Sequence, residues 1–254
     1  MRKTALLAAA SALFVTTPAL AQSGGHVGVN LSTTETESSE GDTWQIDAAF
    51  GGASGAVGYQ IDGAFGNSDF GSGSDVDQNT LAGHLYWNGE GWRLGGVIAQ
   101  TNFDAGSGIS AEETAYGVEG TFNLGANAVL LGSYTIGEAE IISEVDTSNV
   151  DLGLNYYFAD NFRAGVSAGA GSLDTGIAEI DTSSFGVSAE WQPWTTPVSF
   201  GVSYDTFSVD DVFGDFNTLM IGARYNWGGS LRERDNATPF DTRTGFFQRW
   251  YGIQ

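Results

Sequence analysis

The sequence predicts an all-β protein: a closed antiparallel up-and-down transmembrane β-barrel of about twelve strands, with ten to fourteen left open. Three observations carry this expectation. Apolar and polar residues alternate with a period of two, in segments of about ten residues, from His26 to Trp227. The connections between segments are alternately long and tight. Acidic residues gather in the long connections and aromatic residues near the segment ends, as in a barrel with one charged rim and two membrane interfaces.

The first segment sets Val27, Val29 and Leu31 against Gly28, Asn30 and Ser32. The second sets Trp44, Ile46, Ala48 and Phe50 against Gln45, Asp47 and Ala49, and the third sets Val57, Tyr59, Ile61 and Phe65 against Gly58, Gln60, Asp62 and Ala64. The same reading places strands at 79–87, 92–103, 114–124, 128–138, 148–158, 162–173, 183–192, 197–207 and 216–227. Helical periodicity is not evident between Gln22 and Trp227. Long connections at 34–43, 68–77, 104–113, 138–146, 174–181 and 208–215 alternate with tight turns on Gly51-Gly52, Gly89-Glu90-Gly91, Gly125-Ala126-Asn127, Ala159-Asp160-Asn161 and Pro193-Trp194. An even strand number puts both barrel termini on the tight-turn side. A soluble β-sandwich is the competing arrangement. The faces opposite the apolar ones are Gly, Ser, Thr, Asn and Gln with isolated charges, which suits a barrel interior better than a solvated sandwich surface.

Charge follows the same axis. The chain has 254 residues, 31 acidic against 9 basic, and no Cys. The six long connections hold 20 of the acids and no base, whereas the tight turns hold only Glu90 and Asp160. Trp87, Trp92, Trp191, Trp194, Trp227, Phe158 and Phe162 flank the tight turns, and Trp44, Phe103, Tyr116, Tyr134, Phe185 and Tyr204 lie nearer the long ones. A charge of -22 makes nucleic acid an improbable partner, since phosphate binding needs clustered Lys and Arg. Without Cys, thiolate metal sites and disulfide frameworks are excluded. Residues 1–21 read as a secretory signal peptide: Met1-Arg2-Lys3, an apolar run from Ala5 to Val15, and Ala19-Leu20-Ala21 before Gln22. Residues 22–227 are the expected barrel. Residues 228–254 are a periplasmic tail or plug, carrying Arg232, Arg234, Arg243 and Arg249 against Glu233, Asp235 and Asp241 and ending in Phe246-Phe247-Gln248-Arg249-Trp250-Tyr251. A frayed terminus is the simpler reading of that tail.

Taken together, the leader, the Gly- and aromatic-rich alternating strands and the acidic long connections resemble a Gram-negative outer-membrane β-barrel, of the small porin-like family. The resemblance covers residues 22–227 and is one of pattern, without a short diagnostic motif. It implies export to the outer membrane, contact with lipid and lipopolysaccharide, and a homo-oligomer such as the trimer common among general porins. Chains of that class usually end on the aromatic residue of the last strand. Here Leu219, Ile221, Ala223, Tyr225 and Trp227 carry that pattern and 27 residues follow.

With the apolar set facing lipid, the inward set includes Asp47, Asp62, Glu119, Asp151, Glu190 and Asp205, with Arg93, Arg163 and Arg224 near the tight-turn end. Six acids against three Arg make the expected lumen negative. The expected function is therefore passive diffusion of small hydrophilic solutes with a preference for cations. Asp47, Asp62, Glu119 and Asp151 are the candidate selectivity residues, and Arg163 with Glu190 a candidate cross-strand pair. An alternative is a plugged barrel with a structural or surface-interaction role, in which the charges hydrate and brace the wall. Enzyme activity is not expected: only His26 and His84 are present to act as a base, both toward the periplasmic half. No cofactor is expected. The acidic segments Asp69 to Asp77 and Asp210 to Asp215 lack the Asp-x-Asp-x-Asp-Gly spacing of a calcium loop, so no metal site is assigned, although loose divalent bridging to lipopolysaccharide fits them.

Overall fold

A computed structural model describes residues 22–37, 39–71, 75–105, 110–140, 144–193, 196–210, 214–240 and 245–246. The leader reading, Trp194, Arg243, Arg249 and the residues after Phe246 fall outside the described residues. Twelve strands alternate along the chain: β1 Gln22–Glu35, β2 Glu40–Ser54, β3 Val57–Asp69, β4 Asp75–Gly89, β5 Trp92–Asp104, β6 Ser110–Leu124, β7 Ala128–Glu140, β8 Glu144–Ala159, β9 Phe162–Asp174, β10 Glu179–Trp191, β11 Val198–Val209 and β12 Gly214–Trp227. Each pairs antiparallel with its sequence neighbours, and β1 pairs with β12 from Gly25↔Trp227 to Glu35↔Asn217, which closes the barrel. A seven-residue helix, α1 Leu231–Ala237, follows β12.

Polarity is inverted relative to a water-soluble protein. Leu85 and Ile98 are 65% and 61% exposed on the outer surface, while Gln60 and Asp62 on the inner surface are each 1% exposed. The outer apolar side chains form a continuous belt on β1 to β12, edged by Trp87, Trp92, Trp191 and Phe158 near the tight turns and by Trp44, Tyr116, Tyr134, Phe185 and Tyr204 nearer the other rim. In hydrocarbon, closure leaves no strand edge with unpaired backbone groups.

Three expectations change. The long connections are short: β1 and β2 are joined by residues 36–39 and β9 and β10 by 175–178, because the strands continue into the acidic segments. Outside the lipid the outer face needs no apolar residue, so the period-two signal fades while the hydrogen-bond ladder goes on. Phe103 faces inward and is buried, since it shares the parity of Val97 and Ala99 on β5. Gly51-Gly52 is not a turn. The chain reverses at Gly55-Ala56, with Gly55 at φ +63°, and Gly51 lies inside β2.

The role of Gly51 is close approach. A Cβ there would sit 2.1 Å from the Ala237 carbonyl oxygen at the end of α1, and one at Gly24 would sit 3.0 Å from the Ala237 Cβ. Helix α1 therefore rests on β1 and β2 where those strands have no side chains. Replacing Gly51 by Val should lift α1 from the wall at a cost of about 1–3 kcal/mol, the usual penalty of overpacking. The barrel should stay closed, seen as retained heat-modifiable migration in gels, while protease cuts the tail faster.

Candidate functional site: the barrel lumen

Strand parity turns one residue in two toward the lumen, and cross-strand neighbours there fall into large and small partners. Asp47 faces Gly28, Asn30 faces Gly222, Asn155 faces Gly165, Asp151 faces Gly169 and Asp205 faces Gly186. A Cβ at Gly169 would sit 2.3 Å from Asp151 Oδ1, and one at Gly186 2.3 Å from Asp205 Oδ1. Each glycine thus leaves the niche over which its polar neighbour lies flat against the wall. This accounts for much of the inward glycine and for a lumen wide enough to hold more than water.

What it holds is the C-terminal segment. Gly228 and Gly229, at φ +102° and +114°, turn the chain inward after β12, conformations open to glycine at little cost. Ser230 then caps α1: its side chain accepts from the Glu233 N–H while its own N–H donates to Glu233 Oε2 at 2.8 Å. The Ser230 backbone and hydroxyl bonds hold the Glu233 carboxyl below the usual carboxylate range.

At the lower mouth Arg234 of α1 is buried and donates to Glu190 Oε1 at 2.7 Å and Oε2 at 3.0 Å, and to Asn226 Oδ1 at 2.8 Å. Glu190 also accepts from Ser199 at 2.6 Å and from Arg163 at 2.9 Å, so the expected Arg163 and Glu190 pair forms, directly across β9 and β10. Arg163 and the Tyr157 hydroxyl both donate to Asp235 Oδ2, at 2.9 and 2.8 Å. Arg224 lies 3.4 Å from both Asp47 and Glu190. Arg93 donates to the Asn236 carbonyl at 3.3 Å, and Arg232 reaches the Ala126 carbonyl at the rim of the mouth.

Beyond α1, Gln60 grips the tail backbone from both sides: its Nε2 donates to the Phe240 carbonyl at 2.9 Å and its Oε1 accepts from the Phe240 N–H at 3.1 Å. The Phe240 ring stacks on His84, centroids 5.7 Å apart and planes 7° apart, and meets Tyr86 edge-on at 5.1 Å. His84 Nε2 lies 2.7 Å from Asp62 and Nδ1 2.8 Å from Glu119. Near the outer rim the Phe246 N–H donates to Glu113 Oε1 at 2.8 Å, and its ring packs edge-on against Phe207, within a cluster that includes Val76, Phe103, Val145 and Leu173. The described parts of the tail thus meet the wall at the lower mouth, at Gln60 and His84, and near the acidic rim.

All nine sequence-predicted residues line one remaining cavity of about 280 Å³: Asp47, Asp62, Glu119, Asp151, Glu190, Asp205, Arg93, Arg163 and Arg224. Its wall is drawn from β1 to β3, β5 to β12 and the tail, and includes the half-buried Gly165 and Ser167 of β9. Asp151 and Asp205 face that space, whereas Asp47, Asp62, Glu119 and Glu190 are buried among the tail contacts and wall hydrogen bonds. Sequence reasoning assigned Glu113 to an exposed acidic connection, yet it is 1% exposed. It missed Gln60 as a backbone clamp. The signal present was the tail itself, a basic and aromatic segment after a barrel rich in acids. Among the described residues no three His or carboxylate side chains converge to cage a metal ion.

Above the lumen the rim sets like charges directly opposite one another, as at Asp42↔Asp69, Asp77↔Asp104, Glu112↔Glu140 and Asp146↔Asp174. Such pairs are destabilising, and together they make the outer opening strongly negative.

These features define a transmembrane β-barrel of the outer-membrane class with its C-terminal segment inserted in the lumen. Solved barrels of that class share the fold. An outer membrane channel from Pseudomonas putida F1 matches with TM-score 0.62 at 11% identity, over 84% of this chain and 97% of that one. The β domain of the Bordetella autotransporter BrkA matches with TM-score 0.54 at 12% identity, over 81% and 100%. The translocator domain of the Neisseria meningitidis autotransporter NalP matches with TM-score 0.52 at 13% identity, over 89% and 94%. No family model and no curated protein matches the sequence.

Removing one partner of a buried ion pair costs about 3–5 kcal/mol. Glu190→Gln leaves the Arg234, Arg163 and Arg224 guanidiniums around a neutral amide, so it should loosen α1. A cysteine placed at Asn236 should then react with a maleimide at least tenfold faster than in the otherwise unchanged chain.

Proposed function

We propose that the protein is an outer-membrane channel for passive diffusion of small hydrophilic solutes, preferring cations, and that its own C-terminal segment holds it closed. The observation that carries this reading is the acid-lined cavity beside an occupant attached through two glycines. Six wall acids against three wall Arg, under a rim of opposed carboxylates, give a field that attracts cations and repels anions. The apolar belt sits in lipid, with lipopolysaccharide around the acidic rim and divalent ions between them. The fold neighbours include an outer membrane channel, which is consistent with this reading, although their likeness extends to fold alone.

A static barrel with a structural role is the second reading, favoured by the apolar cluster that packs Phe246 against the wall. We read the lumen as non-catalytic in either case. The His84 side chain is fully buried under Phe240, with a carboxylate beside each ring nitrogen.

Planar-bilayer recording separates the two. The full chain should show little conductance, and deletion of residues 231–254 should raise it at least fivefold. Under a KCl gradient the reversal potential of the open form should have the cation-selective sign, and Asp151→Asn with Asp205→Asn should move it toward zero. Unchanged conductance on deletion would support the static barrel, and an anion-selective potential would overturn the cation preference.

A further inference from the structure

The contacts along the tail share one property: they recognise groups that a peptide carries. Arg234, Phe240 and Phe246 are six residues apart, and each meets a distinct set of wall groups. The first set, Glu190 and Asn226, takes a guanidinium by both carboxylate oxygens and an amide oxygen. The second, Gln60, His84 and Tyr86, takes one backbone N–H, one carbonyl and an aromatic ring. The third, Glu113 and Phe207, takes a backbone N–H and a second ring, and a Cβ at Gly245 would clash with Glu113 at 2.5 Å.

We propose that the lumen is a peptide-binding site for segments that pair a guanidinium with aromatic side chains, and that the C-terminal tail is the tethered copy of this ligand. The inference rests on the tail being a displaceable plug and names the ligand class of that same site. Two features make the recognition transferable to a separate chain. Among the described residues the tail has little structure of its own beyond the seven residues of α1, so its shape is supplied by the wall. The contacts at Phe240 and Phe246 include backbone groups, which any peptide carries. A free peptide loses the effective concentration of the tether, millimolar for a short flexible linker, so it binds best where the tail is absent.

The test uses the barrel lacking residues 231–254, in detergent, with a fluorescein-labelled synthetic peptide of residues 230–250 read by anisotropy. Saturable binding is expected, weakened at least tenfold by Arg234→Gln in the peptide and tenfold by Phe240→Ala. Glu190→Gln in the barrel should weaken the unaltered peptide and remove its advantage over the Arg234→Gln peptide. Equal binding of a scrambled peptide, or an Arg234 effect that survives Glu190→Gln, would overturn the proposal. Should the shortened barrel fail to fold, the full chain with Arg234→Gln and Phe240→Ala takes its place, and the free peptide should outcompete its weakened tail. Bilayer recordings keep the two readings apart: specific binding without any open conductance sinks the channel but not the peptide site, and conductance without specific binding sinks the peptide site alone.

Discussion

The pairing of β1 with β12 is the interaction on which everything else depends. In hydrocarbon an unpaired N–H or C=O costs several kcal/mol, so a sheet of twelve strands is tolerable there only as a ring. Eleven antiparallel matches between Gly25↔Trp227 and Glu35↔Asn217 provide that closure. Once the ring is shut, every side chain has one of two fates by parity, lipid or lumen, and the polarity of the protein is necessarily inside out. Closure also brings the end of β12 to the lower mouth, beside the start of β1. From that position a basic, aromatic segment turned by Gly228 and Gly229 enters an acidic interior.

The lumen is then organised by two kinds of economy in space. Glycines opposite Asp47, Asn30, Asp151 and Asp205 let those side chains lie along the wall, so the interior is polar without being filled by its own residues. The space so left is divided unequally. Arg234 and Asp235 of the tail meet β8 to β10 and β12, Ala237 rests on β1 and β2, Phe240 meets β3 and β4, and small residues of β8 to β10 border the remaining cavity. Buried charge is tolerated because it is shared: Glu190 meets Arg234, Arg163 and Arg224 together, with Ser199 completing its hydrogen bonds. Directly opposed acids such as Asp42 and Asp69 stand at the rim, where solvent and salt screen them.

The described parts of the tail are held by two different means. Ion pairs and the Gln60 clamp secure the lower half of the tail through polar contacts, whereas the upper end is held mainly by apolar packing around Phe246. Both kinds of contact are buried, so withdrawing the tail would have to break the ion pairs as well as the apolar cluster.

The twelve strands, their facing and the charge axis were readable in the sequence because they are local. Period two needs only neighbours along the chain, and lipid imposes it on every strand that crosses. Strand ends in the acidic segments were not readable, since pairing continues there without the apolar constraint that reports it. Nor was Gly51, which resembles a turn until Ala237 is seen against it. The partners Gln60 with Phe240, Glu190 with Arg234 and Glu113 with Phe246 lie 180, 44 and 133 residues apart. The sequence alone determined that a basic tail follows an acidic barrel. Only the closed ring decided that this tail is inside and which wall residues meet it, because those distances exist only once β1 has found β12.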